Sequence, residues 1–238
     1  MIFRKILAWS VHAYTASGLV AAAGIAVSIV KGTDASFRVA FVLMLIATVI
    51  DTTDGWLARK AEVKKFAASL DGRRLDDLID FQTYTSLPLL LIWRAQLLPP
   101  GWESILLLPL LASAYGFSQV AAKTADNFFL GFPSYWNIVA IYLYLLKLPA
   151  QWSAAIVVIL ALLTFVPSLY LYTTRGGRYS TSVNILGGAW ALAVLWILLE
   201  WEKVPGEFTW ISLAFPVYYF GLSWWVTIRT WQAGRSKR

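Results

Sequence analysis

The chain of 238 residues contains no cysteine. Disulfides and thiolate metal ligands are therefore excluded. Charge is also scarce: 14% of residues are Asp, Glu, Lys or Arg, against about 25% in soluble domains. Hydrophobic residues make up 59% and the mean hydropathy is +0.64, so the solvent for most of this chain is a bilayer. Internal repeats and low-complexity runs are lacking, which argues against a solenoid or a disordered tail. Acidic residues are few, 13 against 20 basic, leaving a net charge of +7. In a soluble protein that excess suggests nucleic acid. In a membrane chain it belongs to cytoplasmic loops and the anionic lipid surface, and no nucleic-acid partner is expected.

A membrane-crossing helix needs about 20 mostly apolar residues. Candidate spans run roughly over 13–31, 37–58, 78–98, 103–122, 135–149, 152–173, 182–200 and 208–228. Pro88, Pro109, Pro167 and Pro216 fall inside them and predict kinks. The opening "MIFRKILAWSVHAY" has a basic start but no clear cleavage site, so it reads as a retained interfacial helix. With the N-terminus in the cytoplasm, eight spans return the C-terminus there. Fifteen of the twenty Lys and Arg residues then face the cytoplasm, as the positive-inside rule requires. The expected fold is an all-α integral membrane protein with about eight transmembrane helices, both termini cytoplasmic and a short amphipathic N-terminal segment. It is expected to form a single domain over residues 1–238.

Against this apolar background, residues 51–80 hold seven of the thirteen acidic residues. Asp51 and Asp54 are three apart and share a helix face at the cytoplasmic end of the second span. Asp76 and Asp80 are four apart and share a face at the start of the third. If the two helices pack side by side, four carboxylates converge. Such a group costs several kcal/mol in like-charge repulsion unless a cation joins it. Oxygen-only ligands favour Mg²⁺ or Mn²⁺, singly or as a pair. Gly55, Ala58 and Gly72 lie on the same stripes and leave room for a phosphate-bearing ligand to approach the backbone. The competing reading pairs these aspartates with Arg59, Arg73 and Arg74 at a solvated helix end. Asp71, Asp77 and Glu62 lie off these faces, and ordinary ion pairing is expected for them.

The stretch resembles the signature of the CDP-alcohol phosphotransferase family, D-x-x-D-G-x-x-A-R followed after a spacer by G-x-x-x-D-x-x-x-D. It reads here as Asp51, Asp54, Gly55, Ala58 and Arg59, then Gly72, Asp76 and Asp80. The spacer, residues 60–71, is longer than the family's usual one and is similar to that of the bacterial phosphatidylcholine synthase branch. Chain length, the early "VHAYTASG" and "FFLGFPSYWN" at 128–137 agree with that branch. The resemblance implies transfer of a phosphatidyl group from CDP-diacylglycerol to choline, with release of CMP, in a bacterial cytoplasmic membrane and with the site facing the cytoplasm. Asp51, Asp54, Asp76 and Asp80 would hold Mn²⁺ or Mg²⁺, and Asp80 would also take the choline proton. Gly55, Ala58, Arg59 and Gly72 would surround the cytidine nucleotide. A homodimer is the candidate assembly.

Three further assignments each carry a plain alternative. Arg175 and Arg178 are candidates for the lipid phosphate, or simply positive-inside charge. His12 is a candidate nucleotide contact, or a structural histidine. Tyr135, Trp136 and Asn137 are candidates for choline, whose trimethylammonium suits aromatic faces, although Trp and Tyr also line membrane interfaces generally. Other acceptors, namely serine, inositol or glycerol phosphate, remain within the family's range. A cation transporter is the competing class, but its carboxylates would run through the midplane instead of clustering at one end.

Overall fold

In the computed structural model, residues 1–124, 126–172, 176 and 179–235 are described, with side chains up to Ala233. The described chain is mainly helical. Its contacts divide it into two compact units: residues 1–95 with 136–141, and residues 96–135 with 142–235 of those described.

The first unit begins with α1 (Ile2–Ala16) and α2 (Gly18–Lys31), which form a nearly continuous rod joined at Ser17. Ser17 stays in the helical region, and its hydroxyl donates to Tyr14 O at 2.6 Å. The interfacial segment expected ahead of the first span is therefore continuous with it. α2 ends at Gly32, where φ is +66° and a Cβ would collide with the Arg94 guanidinium. Only glycine meets both demands. α3 (Asp34–Lys60) starts with a reciprocal capping box, in which Thr33 accepts from Ser36 N–H and Ser36 accepts from Thr33 N–H. Asp34 in its first turn and Arg59 and Lys60 in its last complement the helix dipole. α2 and α3 pack through Ala22, Ile25, Ala40, Phe41 and Met44, all buried.

A short turn, α4 (Val63–Phe66), leads to α5 (Gly72–Asp80), whose Asp71 N-cap accepts from Arg73 and Arg74 N–H. α5 continues without a break into a π-helical segment (Phe81–Ser86) and then α6 (Leu87–Arg94). α1 lays Ala8 and Val11 against Ala61, Val63 and Ala67, with Ala58 packed alongside. The first turns of α8 (Trp136–Leu146) complete this unit.

The second unit holds α7 (Leu107–Ser118), the rest of α8, α9 (Ala150–Leu163), α10 (Ser180–Leu199), α11 (Gly206–Ser212) and α12 (Ala214–Arg235). It departs from the all-α expectation. β1 (Phe128–Leu130) pairs antiparallel with β2 (Leu169–Leu171). The sixth expected span accordingly stops at Leu163, and the chain beyond it turns to form the strand pair. Gly131, at φ +82°, packs so closely on Thr164 that a Cβ would lie 2.1 Å from its carbonyl oxygen. Gly131 N–H donates to Ser168 O and Phe132 N–H to Leu163 O. These bonds satisfy backbone groups that a longer helix would have satisfied internally.

Three of the four prolines fall where a helical run changes its geometry. Pro88 follows the π-helical segment at the start of α6, Pro109 follows a 3₁₀ turn (Glu103–Leu106) at the start of α7, and Pro216 follows the junction of α11 and α12, so each lies where a missing N–H is met by a change of helix type or direction. Pro167 lies in the loop before β2. Among the described residues, four helical runs are long and apolar enough to cross a membrane: Ile2–Lys31, Asp34–Lys60, Ser180–Leu199 and Gly206–Ala233. Three more apolar stretches, Glu103–Ser118, Trp136–Leu146 and Ala150–Leu163, are shorter. The run over 72–94 carries all its charges but Arg94 in the first half.

Candidate active site

α3 supplies Asp51 and Asp54, and α5 supplies Asp76 and Asp80. Asp51, Asp76 and Asp80 converge: one carboxylate oxygen from each lies within 4.8 Å of the others, and all three residues are half-buried. At an effective dielectric of about 20, each pair of charges at that distance repels by about 3 kcal/mol. The geometry fits a divalent cation. Oxygens on an octahedral Mg²⁺ stand about 3 Å apart when adjacent and about 4.2 Å when opposed, so the three side chains would close by up to about 2 Å to share one ion. The hard, all-oxygen donor set is the type such ions prefer.

Asp54 stands outside this trio. It is buried and accepts a hydrogen bond from the Thr15 hydroxyl at 2.8 Å. α1 is thereby tied to the end of α3, a link that Tyr14 strengthens with a 2.8 Å bond to Thr53. Asp51 is also supported, since the Tyr84 hydroxyl donates to its Oδ2 at 2.7 Å. Tyr84 follows Asp80 by four residues, a helical spacing readable in the sequence. Thr15 lies 39 residues from Asp54, and nothing local announces it.

The off-face acids behave as expected. Asp77 pairs with Arg73 at 3.8 Å, Asp71 with Arg74 at 3.5 Å, and Glu62 with Lys65 at 3.6 Å and Arg4 at 4.0 Å. The small residues divide into two groups. A Cβ at Gly55 would meet only the Arg59 guanidinium, at 3.5 Å, so that side of α3 is open. A Cβ at Gly72 would lie 2.9 Å from His12 Cε1, so Gly72 makes room for a side chain. His12 is buried beside Trp9, with Nε2 3.3 Å from Ala67 O, an arrangement that matches its structural alternative. Ala58 packs against the Ala8 and Val11 cluster, and Arg59 is exposed.

Of the residues considered for choline, Tyr135 is half-buried and the other two are buried. Trp136 is fully buried, and Asn137 is buried with Nδ2 donating to Thr48 Oγ1 at 3.1 Å. Tyr135 stands among aromatic rings, 6.1 Å from Tyr219 and 6.5 Å from Phe132. Arg175 and Arg178 lie outside the described residues.

The motif that builds this carboxylate arrangement lies within a stretch matched by a known family. The family description "CDP-alcohol phosphatidyltransferase" matches residues 12–167. The chain belongs to that family. Its members are enzymes that generally use a divalent metal, in keeping with the Asp51, Asp76 and Asp80 trio. Among curated relatives, "Phosphatidylcholine synthase" of Legionella bozemanae is 34% identical over 208 residues, 84% of this chain and 96% of its own. "Phosphatidylcholine synthase" of Pseudomonas aeruginosa is 32% identical over 228 residues, 95% and 94% of the two chains. The protein of the same name from Borreliella burgdorferi is 35% identical over 171 residues, 71% and 72% of the two. The family match includes every aspartate of the motif and takes in residues of both compact units.

Proposed function

We propose that this enzyme transfers the phosphatidyl group of CDP-diacylglycerol to choline, forming phosphatidylcholine and CMP. The observation that carries the reaction type is the convergence of Asp51, Asp76 and Asp80 within 4.8 Å, inside a family match. Choline as acceptor is supported by the names of relatives that align over most of the chain.

In this reading Asp51, Asp54, Asp76 and Asp80 form the acidic site, with Mn²⁺ or Mg²⁺ held by the converging carboxylates. The ion, when bound, offsets charge on the diphosphate and on the leaving CMP. Asp80 accepts the proton of the choline hydroxyl as its oxygen attacks phosphorus, which requires only hydrogen-bond reach. Asp54, fixed by Thr15, keeps its place relative to Asp51 one turn away. The open side of Gly55 admits the cytidine nucleotide beside Arg59. Gly72 and Ala58 border the same region while packing on α1. The trimethylammonium end is assigned to the aromatic segment containing Tyr135, Trp136 and Asn137, and the lipid phosphate to Arg175 and Arg178. The chain crosses a bacterial cytoplasmic membrane about eight times, with short and charged helices completing the four long spans. Both termini and the aspartates face the cytoplasm, all of residues 1–238 serve one catalytic domain, and two copies pair as a homodimer.

The deciding experiment supplies purified protein with CDP-diacylglycerol as sole donor and labelled choline, serine, inositol or glycerol phosphate in turn. Choline-dependent CMP release with label in phosphatidylcholine is the expected result. Label entering lipid from another acceptor, with none from choline, would reassign the substrate. CMP release from no acceptor would remove the reaction.

A further inference from the structure

A metal-binding carboxylate works best when its rotamer is fixed before the ion arrives, and outer hydrogen-bond partners provide that restraint. Tyr84 is placed to do this for Asp51. It is buried, and its hydroxyl donates to Asp51 Oδ2 at 2.7 Å. It comes from the π-helical segment that begins immediately after Asp80. The i→i+5 bonding of such a segment widens the turn, and Asp80 and Tyr84, four apart, fall on nearly one face. Asp80 and Tyr84 consequently both look toward α3. Short π-helical insertions persist mainly at functional sites, because they sacrifice regular helix geometry.

The contact has a supporting line of side chains behind it. Thr48, three residues before Asp51 on α3, donates its hydroxyl to Met44 O at 2.9 Å and lies beside the Tyr84 phenol. Thr48 Oγ1 accepts from Asn137 Nδ2 at 3.1 Å, and Asn137 Oδ1 accepts the Ile138 N–H at 2.9 Å. Asn137 and Tyr84 are both buried, so a missing partner there would leave a desolvated polar group. Three elements (α8, α3 and the π segment) thus bring Asn137, Thr48 and Tyr84 together behind Asp51.

We propose that Tyr84 is a positioning residue for the metal site, braced by Thr48 and Asn137. It holds the Asp51 carboxylate in the orientation that faces Asp76 and Asp80. This role rests on the metal-dependent reading above. It gives Asn137 a task in addition to the acceptor contact assigned above.

The test titrates Mn²⁺ into purified full-length protein in detergent or nanodiscs and follows free ion by electron paramagnetic resonance, with thermal unfolding measured in parallel. Tyr84→Phe retains the ring and removes the hydroxyl. Its Kd for Mn²⁺ is expected to rise about tenfold, the lower range for loss of an outer-shell partner, with Tm unchanged. At saturating Mn²⁺ the variant's turnover should approach wild type, while the half-saturating Mn²⁺ concentration stays raised. Thr48→Val should raise Kd less, and the double variant should fall short of the sum of the two free-energy changes because the side chains act in one line. Wild-type affinity in Tyr84→Phe overturns the positioning role and leaves the metal reading standing. A lowered Tm with unchanged Mn²⁺ affinity assigns the hydroxyl to packing and also overturns it. Full additivity of the two variants removes Thr48 from the line. Absence of Mn²⁺ binding by the wild type overturns the metal reading and the positioning role together.

Discussion

Individual residues in the 51–80 stretch differ sharply in what they do, although their chemistry looks alike on paper. Asp76 and Asp77 are neighbours in sequence, yet Asp76 joins the converging trio while Asp77 pairs with Arg73. Asp51→Ala, Asp76→Ala and Asp80→Ala should each lower turnover by more than about 100-fold, exceeding the range for outer-shell partners. Asp77→Ala should change it by no more than about twofold, since an exposed ion pair contributes under about 1 kcal/mol. Choline incorporation with CDP-diacylglycerol measures both, and equal damage at Asp76 and Asp77 would contradict the assigned faces. Gly72 makes a second residue-scale case. Gly72→Ala drives a methyl group into the His12 ring edge and should destabilise the protein by about 1–3 kcal/mol. Combining it with His12→Ala should restore much of the Tm. If the double variant remains as unstable as Gly72→Ala, the glycine's smallness serves something other than His12.

Elements are bounded by features of two kinds. α3 carries its start in its own sequence, through Thr33 and Ser36, and Thr33→Ala should cost about 1 kcal/mol, the typical loss for an N-cap. The end of α9 is set from outside. Phe132 N–H reaches Leu163 O, and Gly131 fills the space against Thr164 in a backbone conformation that side chains avoid. Gly131→Ala should therefore be worse than the cap variant. Positive φ alone costs about 1–3 kcal/mol, and the carbonyl contact adds to it. Thermal melts of the two variants side by side should show the larger drop for Gly131→Ala. A smaller drop would mean that the 128–131 and 164–171 backbone yields easily.

For the whole molecule the orientation rests on charge distribution, and the lack of cysteine makes it directly testable. Single cysteines introduced at exposed Ser69 and Glu202 provide one reporter on each expected side. In sealed membranes of known polarity, a membrane-impermeant thiol reagent should modify Ser69→Cys only from the cytoplasmic face and Glu202→Cys only from the opposite face. Labelling of both from the same face would overturn the odd separation in span count between them. Reversible loss of turnover on chelation, restored by Mn²⁺ or Mg²⁺, is the expected behaviour of the assembled site, whereas full turnover in chelator would exclude a metal role.

Membrane residence, the helical content and the acidic face were legible from sequence because each depends on local spacing. Apolar runs near bilayer length mark helices, and carboxylates three or four apart share a face whatever surrounds them. The same spacing separated Asp77, Asp71 and Glu62 from the site. What sequence could not decide depends on approaches between distant segments. Thr15 reaches Asp54 across 39 residues and Asn137 reaches Thr48 across 89, and no periodicity encodes such pairs. Hydropathy carried the sixth span to residue 173, because Leu169, Tyr170 and Leu171 are apolar whether they continue a helix or form a strand. The backbone partners on 127–131, available only in the folded chain, turned them into a strand. The motif alone placed four aspartates on two faces; the packing of α5 and the π-helical turn against α3 brought Asp51, Asp76 and Asp80 within 4.8 Å of one another, and the packing of α1 gave Asp54 its bond from Thr15.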